Sequence, residues 1–157
     1  MNRIAFVIIC LPLLFASCRQ EVVSSAYQDL DEHGWAVTDT IRLALNVEDT
    51  TQAYDLAVNL RHTALYTYQN LWLFMQATDS ISPQPVDTVL ACLANDRGRW
   101  LGTRAGRYYT GYVIAEHGLI FPRTGIYNFT IVHGMRDSVI PGIADIGLEL
   151  RINHGQE

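Results

Sequence analysis

Apolar residues in this chain return at every second position, in one segment after another. Ile41, Leu43, Leu45 and Val47 alternate with Arg42, Ala44 and Asn46, and Tyr54, Leu56, Val58 and Leu60 alternate with Asp55, Ala57, Asn59 and Arg61. The period recurs from Tyr108 to Ile114, through Tyr127, Phe129 and Ile131, and through Ile146, Leu148, Leu150 and Ile152. Such alternation lays one face of a strand on a core and the other in water. Leu71, Leu73 and Met75 interleave instead with Trp72, Phe74 and Gln76, the pattern of a strand covered on both faces. Turn residues punctuate the series at Glu48–Thr51, Asp79–Pro85, Asn95–Gly98, Glu116–Gly118 and Pro141–Gly142. Val86, Leu90 and Leu93 also match a helical spacing, but Asp87 to Ala94 is read as strand. Short strands without βαβ alternation predict an all-β fold, an antiparallel β-sandwich of jelly-roll or immunoglobulin-like kind.

The first residues belong to a different regime. Arg3 supplies a positive start, Ile4 to Phe15 is an apolar run, and Ala16-Ser17-Cys18 closes it. The run is too short for a membrane span of about 20 residues. Small residues directly before a cysteine are what a lipoprotein signal peptidase requires. Cys18 is therefore the expected lipidation site, carrying a diacylglycerol on sulfur and an acyl chain on its amine. Two or more chains, at about 0.8 kcal/mol per buried CH₂, exceed the marginal binding of a single chain and hold the protein on a membrane. This divides the chain into a signal peptide (1–17), a lipidated cysteine with a tether (18–33) and one β-sandwich domain (34–157). Gln20 to Glu32 is polar and weakly patterned, as a tether would be. Arg19 follows the cysteine where retention in the inner membrane favours Asp, which points to the outer membrane.

Cleavage after Ser17 leaves ten arginines against sixteen acidic residues, and no lysine occurs anywhere. An acidic balance of this kind argues against nucleic acid as a partner. Cys10 leaves with the signal and Cys18 takes lipid, so Cys92 has no partner for a disulfide within the domain. Its apolar neighbours Val89 to Leu93 predict a buried, inert thiol.

Catalytic and metal signatures are missing. The five histidines, at 33, 62, 117, 133 and 154, follow no zinc-helix spacing, and there is no nucleophile elbow, Walker loop or dinucleotide fingerprint. No catalytic residue, metal ligand or cofactor is assigned beyond the lipid on Cys18, and the chain is read as a non-enzyme. A hydrolase would need two carboxylates brought together by folding.

Two aromatic segments remain as candidate partner-binding surface. Tyr66, Tyr68 and Trp72 have rings suited to stacking on a sugar or filling a protein hot spot. The plainer assignment puts both tyrosines on a sheet edge and Trp72 in the core. Arg97, Arg99, Trp100, Arg104 and Arg107, spaced by glycines and followed by Tyr108-Tyr109, form either an anion clamp or a hairpin with arginines in water on both sides. As a clamp, the segment would lose function but not folding when Trp100 and Arg104 are both replaced by alanine.

Several runs, in order, carry a family resemblance. They are the Ala16-Ser17-Cys18 signal, Leu60-Arg61, Tyr66 to Leu73, Asp87-Thr88-Val89, Leu93 to Gly102, Gly125 to Ile131, Met135-Arg136, and Pro141 to Leu148. Together, from about Trp35 to Arg151, they resemble the gliding-motility lipoprotein family GldH of Bacteroidetes, with Thr67 standing where that pattern leads to proline. The resemblance implies a cell-envelope lipoprotein associated with gliding motility, without established catalysis and with Cys18 as the acylated residue. Family relatives in bacteria that do not glide imply a broader envelope role. The expected partners are the membrane, through the anchor, and other envelope or gliding-motility proteins. A glycan-binding surface lipoprotein is the alternative.

Overall fold

The structure, a computed structural model, describes residues 21–31, 33–78 and 83–155. Cys18 and the signal segment lie outside them. Eleven strands run through the described residues: β1 Val22–Asp29, β2 Trp35–Ala36, β3 Ile41–Val47, β4 Tyr54–Thr63, β5 Asn70–Thr78, β6 Pro83–Cys92, β7 Thr103–Ala105, β8 Tyr108–Leu119, β9 Gly125–His133, β10 Val139–Ile140 and β11 Ile143–Ile152.

The alternating segments are strands, as their pattern requires, and they pair antiparallel throughout. One sheet has the order β1-β11-β4-β8-β7 and the other β3-β9-β5-β6, while β2 and β10 form a small separate pair. Apart from β7 and that pair, the order is 1-11-4-8 over 3-9-5-6. This is the double Greek key of a jelly roll, so the jelly-roll alternative holds over the immunoglobulin-like one.

The core lies between the sheets. From the five-stranded sheet come Leu56, Val58, Leu60, Ile146, Leu148 and Leu150, and from the other Ile41, Leu45, Leu71, Leu73 and Ile131, all buried in one cluster. Each such side chain contributes roughly 1.5–3 kcal/mol by leaving water. Register enforces this face: Val58 sits opposite Leu148, and a slip of either strand by one residue would turn its whole apolar set outward. Trp35 and Ile140, on the β2–β10 pair, close one end of the cluster, and the Trp35 indole N–H donates to the Asp39 carbonyl at 2.9 Å. Among the described residues the ladders and the cluster join into one continuous core.

Four expectations change. Residues 22–29, assigned to the tether, form β1 and pair with β11. Their pattern is weak because β1 is an edge strand facing the rim of β3 rather than the middle of the core. There Ser24 Oγ accepts the Asn46 N–H at 2.9 Å and Gln28 Oε1 accepts the Arg42 N–H at 3.4 Å, covering an otherwise open sheet edge. Glu116–Gly118 is not a turn but part of β8, where the register shifts against Leu56 and Gly118 takes φ +67°. Cys92 is exposed, because Val89, Ala91 and Leu93 hold the inward positions of its strand and leave Cys92 and Leu90 outward. Trp72 likewise faces out of the sandwich, not into the core. The Asp79–Pro85 turn falls largely outside the described residues.

Two glycines separate backbone freedom from crowding. Gly142 has φ +84°, and a Cβ there would stand 2.3 Å from the backbone nitrogen of Tyr66. Gly98 has φ +72° in open space. Gly98→Ala is expected to cost only the left-handed penalty of about 1–2 kcal/mol, and Gly142→Ala clearly more, because the Tyr66 turn must also shift. Urea denaturation of both variants measures the difference.

Candidate functional site

The arginine-rich segment is built of two turns. In the first, Asn95 Oδ1 accepts the N–H groups of Arg97 and Arg99, both at 3.0 Å, and the Gly98 N–H donates to the Asn95 carbonyl at 2.8 Å. Arg97 and Arg99 are thereby presented at an exposed tip. The second is the β7–β8 hairpin. Arg104 lies 5.6 Å from the Tyr109 ring centroid, and Arg107 lies 4.9 Å from that of Tyr108, whose hydroxyl accepts its Nη2 at 2.8 Å. Successive strand residues point to opposite faces. Arg104 and Arg107 therefore stand on opposite sides of the hairpin, and the four arginines do not converge on one anion.

Trp100 is half-buried against the core. It packs against the core cluster, its ring 4.7 Å from His62 and 5.9 Å from Tyr109, and Ala94 bridges to its backbone. Tyr66 is deeper still, 1% exposed, with its hydroxyl donating to the Asn70 carbonyl at 2.6 Å. Burial pushes its pKa far above that of an ordinary tyrosine. A partner-binding role for Tyr66 is thus overturned by its burial, and Trp100 is a wall of the core more than free surface. Tyr68 packs edge-on to Tyr66 at 5.8 Å and donates its hydroxyl to Asp137.

Trp72 is the candidate that the fold leaves open. It is 39% exposed on the outward face of the four-stranded sheet, opposite Leu90 in the β5–β6 ladder, and Phe74, two residues along the same face, is 42% exposed. Phe74 leans on Gly134, where even a Cβ would approach its ring to 2.7 Å. The Gly134 N–H donates to the Trp72 carbonyl at 2.7 Å, fixing the following Met135 against the Trp72 backbone. Tyr68, Trp72, Phe74, Met135, Arg136 and Asp137 line a shallow groove of about 670 Å³. Sequence reasoning picked out Tyr68 and Trp72 but not Phe74, Leu90 or Met135. The signal for Phe74 was the unbroken apolar run of β5.

The outward face of the five-stranded sheet is already satisfied. Tyr27 covers Gly147 and donates its hydroxyl to Glu149; Arg151 bridges Glu149 at 2.6 Å and lies 3.9 Å from the Tyr112 ring centroid. Arg61 pairs with Asp145 and approaches Asp29 at 3.8 Å. Burial, held back by Arg61, raises the Asp145 pKa. Among the described residues no three His, Cys, Asp or Glu side chains group as metal ligands would.

Comparison with known proteins places the chain. A family model described as GldH lipoprotein matches residues 22–150. The chain belongs to this family. A gliding motility lipoprotein GldH homolog of Christiangramia forsetii is 27% identical over 152 residues, covering 92% of this chain and 93% of the relative. The gliding motility lipoprotein GldH of Flavobacterium johnsoniae is 24% identical over 151 residues, with the same coverage of each chain. No solved structure matches. The family match begins at β1, in keeping with that strand's place in the sheet.

Two outcomes are expected. Trp100→Ala should lower stability by about 2–3 kcal/mol, somewhat less than a fully buried ring, whereas Arg104→Ala should stay within about 0.5 kcal/mol; urea midpoints report both. His62 and His133 are buried, and burial lowers the pKa of each below the ordinary histidine value. The unfolded chain takes up protons near pH 6.5 while the folded one resists, so stability should fall as pH drops from about 6.5 toward 5. His62→Phe should flatten that slope in denaturation curves at pH 7 and pH 5.

Proposed function

We propose that this protein is a non-enzymatic accessory lipoprotein of the cell envelope, anchored through Cys18, that serves gliding motility by docking another envelope protein. The single observation that carries the docking role is the outward face of β5. Its sequence is that of a strand covered on both sides, yet Trp72 and Phe74 stand in solvent beside Leu90. A tryptophan and a phenylalanine on a rigid sheet, rimmed by Arg136 and Asp137, have the composition of a protein–protein hot spot. Family membership and the names of the two relatives support the lipoprotein and motility parts. The Ala16-Ser17-Cys18 signal supports the anchor, and Arg19 supports the outer membrane.

A glycan platform is the weaker reading. Burial of Tyr66 removes one of its three rings, and Phe74 and Met135, which stand beside Trp72 instead, bring no hydroxyl or amide to meet a sugar.

The test is a crosslinked pull-down of the tagged protein from intact envelopes, beside Cys18→Ala and Trp72→Ala/Phe74→Ala. The unsubstituted protein should recover a defined set of envelope proteins. The double variant should recover at least about tenfold less while keeping its melting temperature. Cys18→Ala should lose incorporated fatty acid and membrane association. Equal recovery by the double variant would remove this face from the interface. Polysaccharide recovered in place of protein would establish the glycan reading.

A further inference from the structure

We propose that the gap between β6 and β8, at the rim of the sandwich, is a binding site for a small apolar molecule that carries one hydrogen-bond donor. It opens to solvent at the edge of the sandwich, where Leu101 is 43% exposed, and is independent of the docking face. Its origin is local and visible in the register. On β8 the inward position paired with Leu60 is Gly111, and on β6 the inward position facing across is Ala91, so the two sheets meet there with almost no side chain between them. The result is a volume of about 320 Å³ walled by Leu60, Leu93, Leu101 and Val113. That is about twice the ~150 Å³ of an apolar cavity that takes up benzene, and it falls within the range of small-ligand pockets.

The wall is held in place. The Leu101 N–H donates to the Leu93 carbonyl at 2.8 Å, and Gly102 lies so close to β8 that a Cβ would stand 2.3 Å from the Thr110 carbonyl oxygen. Opposite the apolar walls sits one buried polar group, His62, 2% exposed. Its ring is stacked on Tyr109 at 5.4 Å and meets the edge of Trp100 at 4.7 Å, which leaves it little freedom to turn. Nδ1 lies 3.2 Å from the Thr63 carbonyl, which can only accept. Burial keeps the ring neutral, so the proton resides on Nδ1, and Nε2 is left as an acceptor in a ring that lines the gap. An apolar volume with one fixed acceptor selects an apolar body of about two fused rings, or a short chain, bearing a hydroxyl or N–H.

The probes are 1-naphthol and naphthalene, which differ by that one donor. Residues 19–157, which contain the whole sandwich and Cys92 as their single thiol, are titrated with each by calorimetry. One saturable site is expected, with 1-naphthol bound about three- to tenfold more tightly, the worth of one hydrogen bond. His62→Phe should erase that preference, and Ala91→Leu, which fills the gap, should abolish binding of both. Leu101 walls the gap and is 43% exposed, so Leu101→Glu should fold and yet weaken binding of both probes by about tenfold. This second variant decides the matter if Ala91→Leu does not fold. The proposal is overturned by the lack of a saturable site, by binding that survives Ala91→Leu, or by binding that Leu101→Glu leaves unchanged. Equal affinity for the two probes would overturn the role of His62.

Discussion

The apposition of the two inward faces is the constraint on which this structure depends. Among the described residues the one cysteine is free, so no crosslink supports the sandwich, and one apolar cluster from Trp35 to Leu150 holds its two sheets together. Burying Leu56, Val58 and Leu60 on β4 decides that Asp55, Ala57, Asn59 and Arg61 turn to the other face; burying Leu71, Leu73 and Met75 on β5 does the same to Trp72 and Phe74. Every surface in this protein is the complement of that choice.

The two outward faces inherit different fates. On the five-stranded sheet, the residues displaced from the core include charged ones that find partners: Arg61 with Asp145, and Arg151 with Glu149 and the Tyr112 ring. Such a face is content in water. On the four-stranded sheet the displaced residues of β5 and β6 include Trp72, Phe74 and Leu90, whose side chains are apolar except for one indole N–H. The rims differ as well. Between β1 and β3 the edge is stitched by Ser24 and Gln28, whereas between β6 and β8 Ala91 and Gly111 leave the sheets apart. The docking role we propose needs one uncovered face and a packed scaffold behind it. The jelly roll supplies both from one alternating pattern.

Much of this was legible in the chain. Alternation from Ile41 to Val47 and from Tyr54 to Leu60 located β3 and β4, and the ordered motifs from Leu60 to Leu148 carried the family. Less was legible where period two has no core to report. β1 reads as a polar tether because its inward residues meet the edge of β3, and such contacts leave no hydrophobic trace. Cys92 lies in an apolar run, but its parity with Leu90 rather than with Ala91 put it in solvent. The arginines at 97, 99, 104 and 107 are close in sequence, yet a tight turn and a hairpin spread them over separate surfaces.

What the sequence alone determined is the alternating strands of the core, the antiparallel sandwich, the family, and the set of residues from which any surface must be drawn. Those depend on periodicity and order, which are properties of the chain by itself. Tertiary structure alone decided which aromatic rings are surface: Tyr66 was taken into the core by its turn against Gly142, Trp100 was enclosed by His62 and Tyr109, and Trp72 and Phe74 were left outside. The reason is that a strand has two faces of equal standing until a second sheet packs on one of them. An apolar residue on both faces gives the pattern no means to say which.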